Sequence, residues 1–369
     1  MVRYIWQVAL WPDFYWDSST LLEPLGRTRQ AQGILLGEAD YFELNMEAEV
    51  LTEDAFTTSA IEGEKLDRQS VRSSVARRLG LPTAGLPPVD RQVDGLVEML
   101  VDATRNFAAP LTAARLKSWH ASLFPFGHSG MQKIITGDWR KGKEPMQVVS
   151  GPVGKEKVHY EAPPADRVEN EVVRFLEWFR HPTKKMDGFM RAAAAHFWFV
   201  TIHPFQDGNG RIARAIADMA LAQDEQNGCR LYSMSAQIRH EQDKYYEVLE
   251  ETQKGSGDIT GWMTWFLGCL ERAIRRAESG VQKSRQKAAL WQDMAGLALN
   301  ERQRKVVNKL FEAGKDGFEG GLTNRKYRGM TRTTRETAKR DIADLVEKGI
   351  LRKQVGGGRS TSYTLEWPL

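Results

Sequence analysis

The sequence lacks the features of several specialised protein classes. Its two cysteines, Cys229 and Cys269, can form neither a disulfide framework nor a metal cluster by themselves in a chain of 369 residues. No apolar run approaches the roughly 18 residues that a membrane span needs, and the nearest case, residues 259–270, has the length of a core helix. Pro12 and Asp13 break up the aromatic start of the chain, so no secretion signal is expected. These absences predict a cytoplasmic protein without membrane contact.

The net charge of +4 is small, but it is unevenly distributed. Residues 300–369 contain 16 Lys and Arg against 9 Asp and Glu, an excess of +7, so the rest of the chain carries −3. The chain is longer than the ~250–300 residues at which a single hydrophobic core stops growing, and two or three domains are therefore expected. The basic C-terminal segment is a candidate for a separate domain.

Helical spacing of apolar residues dominates the chain and predicts a mainly α fold. A Pro- and Gly-rich break, LGLPTAGLPPVD, separates an N-terminal helical region, residues 1–88, from a main body, residues 89–280. Residues 281–299 are predicted to be a linker. Residues 300–369 predict three helices followed by two β-prone runs joined by a glycine-rich turn at 356–359. That order is typical of a winged helix-turn-helix domain.

The segment HPFQDGNGRIAR, residues 203–214, combines residue types that bind polyphosphates. Gly208 and Gly210 allow a tight turn whose backbone N–H groups point inward, and the helix that begins near Gly210 presents its positive end to the same space. Arg211 and Arg214, three residues apart at the start of this helix, can both offer forked donors to phosphate. The segment therefore predicts an anion-binding loop.

Two further side chains add metal and acid–base chemistry to this loop. Asp207 is a carboxylate of the kind that holds Mg²⁺ together with substrate phosphates. His203 is a base that can accept a hydroxyl proton. The combination matches phosphoryl or nucleotidyl transfer, in which catalysis is mainly positioning and charge stabilisation. The seven histidines show no H-E-x-x-H or comparable spacing, which argues against a metal hydrolase.

The same segment resembles the signature of the Fic-family protein adenylyltransferases, His-Pro-Phe-x-Asp/Glu-Gly-Asn-Gly/Lys-Arg-x-x-Arg, and fits it at every defined position. The resemblance implies a helical Fic core that uses ATP and Mg²⁺ to place AMP on a protein hydroxyl. It implies that His203 deprotonates that hydroxyl and that Asp207 binds Mg²⁺ between the α- and β-phosphates. The implied phosphate-binding residues are Gly208, Asn209, Gly210, Arg211 and Arg214, the two arginines taking the β- and γ-phosphates. Relatives with Lys in place of Gly210 phosphorylate their targets, so the glycine favours AMP transfer.

Three flanking features extend the resemblance over most of the chain. The run MQVVSGPVGKEKVHY predicts a β-hairpin similar to the family's flap, which aligns a target as an added strand. Its target-docking residues would be Val148, Val149, Ser150 and Gly151. Tyr246, next to Tyr245, falls where relatives build part of the adenine pocket. The run from Thr58 to Gly63 fits the inhibitory pattern Ser/Thr-x-x-x-Glu-Gly/Asn, which implies that Glu62 folds back over the nucleotide site.

Several functional interpretations remain open at the level of sequence. The leading one is an adenylyltransferase that modifies a Ser, Thr or Tyr hydroxyl of a target protein or of itself and is inhibited by Glu62. A close alternative is the reverse reaction, removal of AMP, or both activities in one enzyme. A different class is a nucleotide-sensing regulator that binds DNA through the winged helix, although such domains also contact proteins. The target protein and the oligomeric state, a homodimer included, are not specified by the sequence.

Overall fold

The computed structural model describes residues 4–37, 44–151, 155–181, 186–314, 318–354 and 361–366. These residues form fourteen α-helices and six short strands, which confirms the mainly helical fold class. The chain divides into two compact units, Met1–Glu278 and Ser279–Leu369. Among the described residues no helix is both long and apolar enough to cross a bilayer.

The first unit begins with helices and continues with two small antiparallel sheets. The helices are α1 (Ser18–Gly37), α2 (Leu44–Ile61), α3 (Arg68–Leu79), α4 (Arg91–Arg105) and α5 (Ala113–Leu123). The strand pairs are β1 (His128–Ser129) with β2 (Gln132–Lys133), and β3 (Gln147–Ser150) with β4 (Lys157–Glu161). Further helices follow, namely α6 (Val168–Arg180), α7 (Gly188–Ile202), α8 (Asn209–Glu225), α9 (Met234–His240), α10 (Gln242–Gln253) and α11 (Thr260–Asp293).

Helices α7 and α8 pack against each other at the centre of this unit. Residues 192–195 of α7 are four consecutive alanines, and α8 contributes buried alanines at positions 213, 215, 217 and 220. Small side chains on both helices let the backbones approach closely, and the aromatic run 197–199 fills the space around them. The pair holds the loop that joins the two helices, residues 203–208, on a rigid support.

The second unit contains α12 (Glu301–Ala313), α13 (Asn324–Thr331) and α14 (Arg335–Glu347), followed by the antiparallel strands β5 (Leu351–Lys353) and β6 (Tyr363–Leu365). Three helices and a two-stranded sheet occur in the expected order, and the assignment as a winged helix stays a prediction. Segment 356–359, expected to join the strands, lies outside the described residues.

Of residues 281–299, assigned to a linker from the sequence, residues 281–293 belong to a helix and residues 294–299 form the turn and loop that lead to α12. Helix α11 continues to Asp293, and Leu290, Met294 and Leu299 are buried in the core around α12 and α14. The charged composition of this stretch reflects the exposed face of a long helix, which a pattern of charge alone does not distinguish from a connector.

Candidate active site

The predicted base, His203, ends helix α7 in the left-handed conformation, with φ of 52°. Its backbone N–H donates to the carbonyl of Phe199 at 3.1 Å, and its Nδ1 lies 3.1 Å from the carbonyl oxygen of Val200. Because a carbonyl only accepts, Nδ1 carries the proton and Nε2 keeps its lone pair. Burial, with a further contribution from Arg140, lowers the pKa of His203 to about 4. The imidazole is therefore a neutral base at neutral pH.

Arg140 holds the backbone around this histidine. Its Nε donates to the carbonyl of His203 at 2.7 Å, and its backbone N–H donates to the carbonyl of Pro204 at 2.9 Å. Burial lowers the pKa of the guanidinium to about 10, so it remains charged at neutral pH. No sequence pattern indicated a role for Arg140, because the contact joins positions more than 60 apart without a shared motif.

Asp207 lies in the loop with both carboxylate oxygens engaged. Ser129 of β1 donates its hydroxyl to Oδ2, and the backbone N–H of Gly208 donates to Oδ1 at 2.5 Å. The nearest cation is Arg211, whose Nη2 lies 3.7 Å from Oδ1. Ser129 thus contacts the predicted metal ligand, and sequence analysis did not identify this serine.

Gly208 and Asn209 give the loop its shape. Gly208 has φ of 79°, and a Cβ there would meet Cε2 of Phe124 at 2.9 Å, so both the conformation and the space favour glycine. The Asn209 side chain accepts from the N–H of Phe205 and donates to its carbonyl, each at 2.9 Å. This amide therefore closes the loop, and phosphate would meet the backbone N–H groups of the first turn of α8, which lack partners within the helix.

Glu62 forms an ion pair with Arg214 of α8, and the arginine side chain is buried. Oε1 of Glu62 lies 2.7 Å from Nη2 of Arg214, and Thr58 accepts from the same guanidinium through its hydroxyl at 2.7 Å and its carbonyl at 3.0 Å. Burial alone would lower the pKa of Arg214, but the Glu62 carboxylate together with Tyr245 and Tyr246 outweighs it, so the pKa is raised. Among the described residues, Nη1 of this arginine has no hydrogen-bond partner.

Gly210 provides the space for this ion pair. A Cβ at position 210 would lie 2.2 Å from Oε1 of Glu62 and 3.2 Å from Nη1 of Arg214. The first distance is far inside van der Waals contact, so any larger residue would displace the carboxylate.

Glu64 pairs with the other arginine of the motif. Its Oε2 lies 2.7 Å from Nη1 of Arg211, whose side chain is 2% exposed. The guanidinium also stands over the Phe124 ring at 5.0 Å, and its buried Nε finds no partner within the described part of the chain. The inhibitory pattern read from the sequence ends at Gly63, and for that reason Glu64 was missed.

Tyr246 on α10 reaches the end of the same segment. Its hydroxyl donates to the carbonyl of Ile61 at 3.2 Å, beside a second bond from Gln242 at 3.1 Å. Tyr246 is 41% exposed, whereas Tyr245 is buried against Trp262 and Trp265. Tyr246 is therefore the tyrosine available to a ligand, and Tyr245 belongs to the core.

The predicted flap is the β3–β4 hairpin. Val148 pairs with Tyr160, Val149 with Val158 and Ser150 with Lys157, and a bulge separates the first two pairs. The Tyr160 hydroxyl donates to the carbonyl of Thr201 at 2.7 Å, which fixes the base of the hairpin two residues before His203.

The end of the flap is only partly described. Val149 is exposed, the Ser150 hydroxyl is hydrogen-bonded to His159, and Gly151 follows with φ of 102°. Residues 152–154, the expected turn, lie outside the described part. In the described structure, the four predicted docking residues, 148–151, make no hydrogen bond or ion pair with the loop at 203–208.

A second group of buried polar contacts lies beside α2: one joins α2 to Ser233 at the start of α9, and the other joins α8 to Arg230. Asp54 accepts from the Ser233 hydroxyl at 2.5 Å, and Asp218 pairs with Arg230 at 2.8 Å. Burial and the nearby Asp218 carboxylate raise the pKa of Asp54 to about 7. Asp54 and Thr58 of α2 and Glu62, the residue after its end, are spaced by four residues, so all three contacts lie on the same side of the helix.

The site suits a metal that is shared with a substrate. In the described ranges no three His, Cys, Asp or Glu side chains converge as a protein-only metal site. Mg²⁺ commonly binds one or two carboxylates plus substrate phosphates and keeps several waters. Asp207, next to unpartnered guanidinium donors that would hold the phosphates, fits that description.

Comparison with known proteins assigns this arrangement to a family. Residues 110–221, which include the whole loop, match the Fic/DOC family, and residues 4–81 match a domain of unknown function, DUF4172. Residues 110–221 of this chain therefore match a Fic/DOC-type domain. The second match includes all of α2 and the residues that follow it, Glu62 among them.

Two relatives carry the name protein adenylyltransferase Fic. That of the sea anemone Nematostella vectensis is 33% identical over 114 residues, which is 30% of this chain and 25% of the relative. That of the mosquito Aedes aegypti is 35% identical over 94 residues, 26% of this chain and 16% of the relative. The chain thus spans a quarter or less of the length of these two relatives.

A solved structure extends the similarity of fold to nearly the whole chain. A Fic family protein from Desulfovibrio desulfuricans superposes with a TM-score of 0.56 at 20% identity, covering 95% of this chain and 97% of that one. At this identity the match concerns the fold.

Proposed function

We propose that the protein is an adenylyltransferase that moves AMP from ATP to a Ser, Thr or Tyr hydroxyl of a protein, itself included, and that Glu62 holds it in a resting state. The observation that carries the proposal is the segment 203–214, which comprises the loop at 203–208 and the first residues of α8. It combines a neutral imidazole whose Nδ1 is hydrogen-bonded, the first-turn N–H groups of α8, and two buried arginines that each have a donor without a partner among the described residues. The relatives' names support the choice of AMP as the transferred group.

The residues divide the work of the reaction. The acceptor hydroxyl gives its proton to Nε2 of His203 while its oxygen bonds to the α-phosphorus of ATP. The bond between the α-phosphorus and the oxygen bridging to the β-phosphorus breaks, and pyrophosphate leaves. Arg211, Arg214 and the N–H groups of α8 hold the charge that the leaving group gains. Mg²⁺ held by Asp207 would neutralise part of that charge.

The ion pair of Glu62 explains the resting state. While Arg214 is bound to Glu62 it is not free to bind a phosphate, and the carboxylate lies where a second anion would be repelled. ATP then binds without the alignment that in-line attack requires.

Incorporation of label from α-labelled ATP tests both parts of the proposal. The wild type should be nearly silent, Glu62→Gly should gain at least tenfold, equivalent to ~1.4 kcal/mol, and Glu62→Gly/His203→Ala should lose the gain. Glu49→Gly is the matched control, because Glu49 is exposed on the same helix and has no recorded ion pair with a described residue. Strong labelling of the double variant would show that the activity is not that of the His203 loop.

We also propose that the second unit contacts duplex DNA through α13 and α14. Six cationic side chains there are exposed, and none forms an ion pair recorded within the described ranges: Arg325, Arg328, Arg332, Arg335, Lys339 and Arg340. The acids Asp341 and Asp344 instead bind groups on the protein, namely Arg302, Gln303 and Lys348. A groove of about 870 Å³ lies beside these cations; Arg325, Arg335 and Lys339 line it together with one acid, Glu336.

Anisotropy of a labelled 20-base-pair duplex would test this contact. Affinity should fall with rising salt, and Arg335→Ala/Lys339→Ala should weaken binding and reduce the salt slope by about 2. Lys305→Ala/Lys309→Ala, two exposed cations on α12, is the control for net charge. Equal losses in both variants, or binding of the unit to an acidic protein in preference to DNA, would contradict the proposal.

A further inference from the structure

The resting site contains a second carboxylate contact that the inhibitory pattern does not include. Helix α2 ends at Ile61, and Gly63, with φ of 79°, turns the chain back. The N–H of Glu64 then donates to the carbonyl of Ser59 at 3.0 Å. This turn directs Glu62 to Arg214 and Glu64 to Arg211.

The two ion pairs are alike in distance and burial. Each joins a carboxylate oxygen to a guanidinium nitrogen at 2.7 Å, the arginine side chains are both 2% exposed, and the glutamates are 26% and 27% exposed. Pairs in which one partner is this deeply buried are screened much less by salt than surface pairs. Glu64 is also closer to Arg211 than Asp207 is, since the latter lies 3.7 Å away.

We infer that Glu64 is a second inhibitory carboxylate, which competes with nucleotide phosphates for Arg211 as Glu62 does for Arg214. The inference rests on the proposed function of the site. The donors of Arg211 that would take a phosphate face a carboxylate at hydrogen-bond distance, and two anions cannot share that side of the fork without strong repulsion. Segment 62–64 is thus a pair of carboxylates bound where two phosphates would lie.

The contact of Glu64 does not depend on Glu62. The two glutamates bind different arginines, and no recorded hydrogen bond joins the two pairs. In a chain with Glu62→Gly, Arg211 therefore stays paired with Glu64, and inhibition is only partly removed. Removing Glu64 should add a separate gain in affinity for nucleotides that have a β-phosphate.

Equilibrium binding of three nucleotides tests this inference. AMP, ADP and the β,γ-imido analogue of ATP would be titrated with Mg²⁺ into the full chain carrying Glu64→Gln, Glu62→Gly or both changes. We expect Glu64→Gln to bind ADP about tenfold more tightly than wild type, because a charged hydrogen bond no longer competes. The double variant should bind the ATP analogue about tenfold more tightly than Glu62→Gly. Affinity for AMP, which has no β-phosphate, should stay the same in all of them.

Controls separate charge, folding and the reaction itself. Glu49→Gln removes the same charge from an exposed position of α2 and should change none of the three affinities. Thermal unfolding shows whether each variant is folded, and Glu64→Asp, which keeps the charge, provides a second variant if Glu64→Gln is unstable. Glu64→Asp should give a smaller gain than Glu64→Gln.

The outcomes are distinct for the inference and for the proposed function. Unchanged or weaker ADP binding by folded Glu64→Gln would overturn the inference, the weaker result meaning that Glu64 orients Arg211 for phosphate. Tighter ADP binding with no AMP transfer by any variant would sustain the role of Glu64 and sink the proposed function. An equal gain for AMP would show a general effect on the pocket and also overturn the inference.

Discussion

The carboxylate of Glu62 lies 2.7 Å from the guanidinium of Arg214, and that arginine side chain is almost completely enclosed. A surface ion pair of this length would contribute little, because water and salt screen it. Here the arginine is held by Thr58 on one side and by the carboxylate on the other. The proposed inhibition by Glu62 therefore depends on the geometry of this ion pair, which substitution can test.

Glu62→Asp should release the enzyme only in part. The shorter side chain keeps its charge but draws the carboxylate back from Arg214 by about the length of one C–C bond, ~1.5 Å. AMP incorporation should fall between that of the wild type and that of Glu62→Gly. Initial rates with α-labelled ATP, measured side by side, decide the order, and a rate for Glu62→Asp equal to that of Glu62→Gly would mean that charge near Arg214 is not what inhibits.

His203→Ala should reduce AMP transfer by roughly 10²–10⁴-fold in the Glu62→Gly background, the range for loss of a general base. Nucleotide affinity should stay within about twofold, because the phosphates bind to α8 and its arginines. Kinetics and equilibrium binding check the two statements separately. His240→Ala, at an exposed position of α9, is the control for loss of an imidazole. Transfer at the parent rate would remove His203 from the reaction.

Asp207→Ala should abolish transfer that depends on Mg²⁺, whereas Asp207→Glu should keep part of it because it restores a carboxylate. The comparison is made by titrating MgCl₂ in the Glu62→Gly background and recording initial rates. If Asp207→Ala shows the same Mg²⁺ dependence as its parent, the metal is held elsewhere.

The buried Asp54 gives the stability of the first unit a defined pH dependence. Its pKa is raised from 3.8 to about 7, so the folded state binds a proton that the unfolded state has lost. Stability from this group is fully present below about pH 4 and is lost as pH rises through about 7, at up to about 1.4 kcal/mol per pH unit.

Asp54→Asn should remove that slope. Urea unfolding at pH 5, 6, 7 and 8 measures it as the difference between variant and wild type, which cancels the titrating groups that do not interact with Asp54; Asp218, which does interact with it, is included in the measured slope. Ser233 can still donate to the amide oxygen of the variant, so its hydrogen bond is preserved. A difference that is constant over this pH range would show that Asp54 titrates normally.

The parts of the site that the sequence predicted lie close together along the chain. The segment 203–214 holds the predicted base, the predicted metal ligand and both arginines within twelve residues, and the order of residue types is itself informative. The pairing of Glu62 with Arg214, suggested by a short pattern in another region, is present as an ion pair, and its inhibitory role stays a prediction.

The parts that the sequence did not predict depend on tertiary contacts. Ser129 reaches Asp207, and Arg140 reaches the carbonyl of His203, across more than 60 positions and without any periodic or motif signal. Asp54 looks like an ordinary polar position of α2 until α8 and Ser233 enclose it. The extent of α11 was also missed, since its charged face resembles a solvated connector.

Gly210 finally links the choice of reaction to the means of restraint. The glycine that the family resemblance associates with AMP transfer is also the residue whose missing side chain makes room for Glu62, since a Cβ there would lie 2.2 Å from Oε1 of Glu62. We expect lysine at this position to displace the Glu62 carboxylate and so to remove the proposed inhibition in the same step. If both proposals hold, the type of reaction and the inhibition by Glu62 are coupled by sterics at position 210.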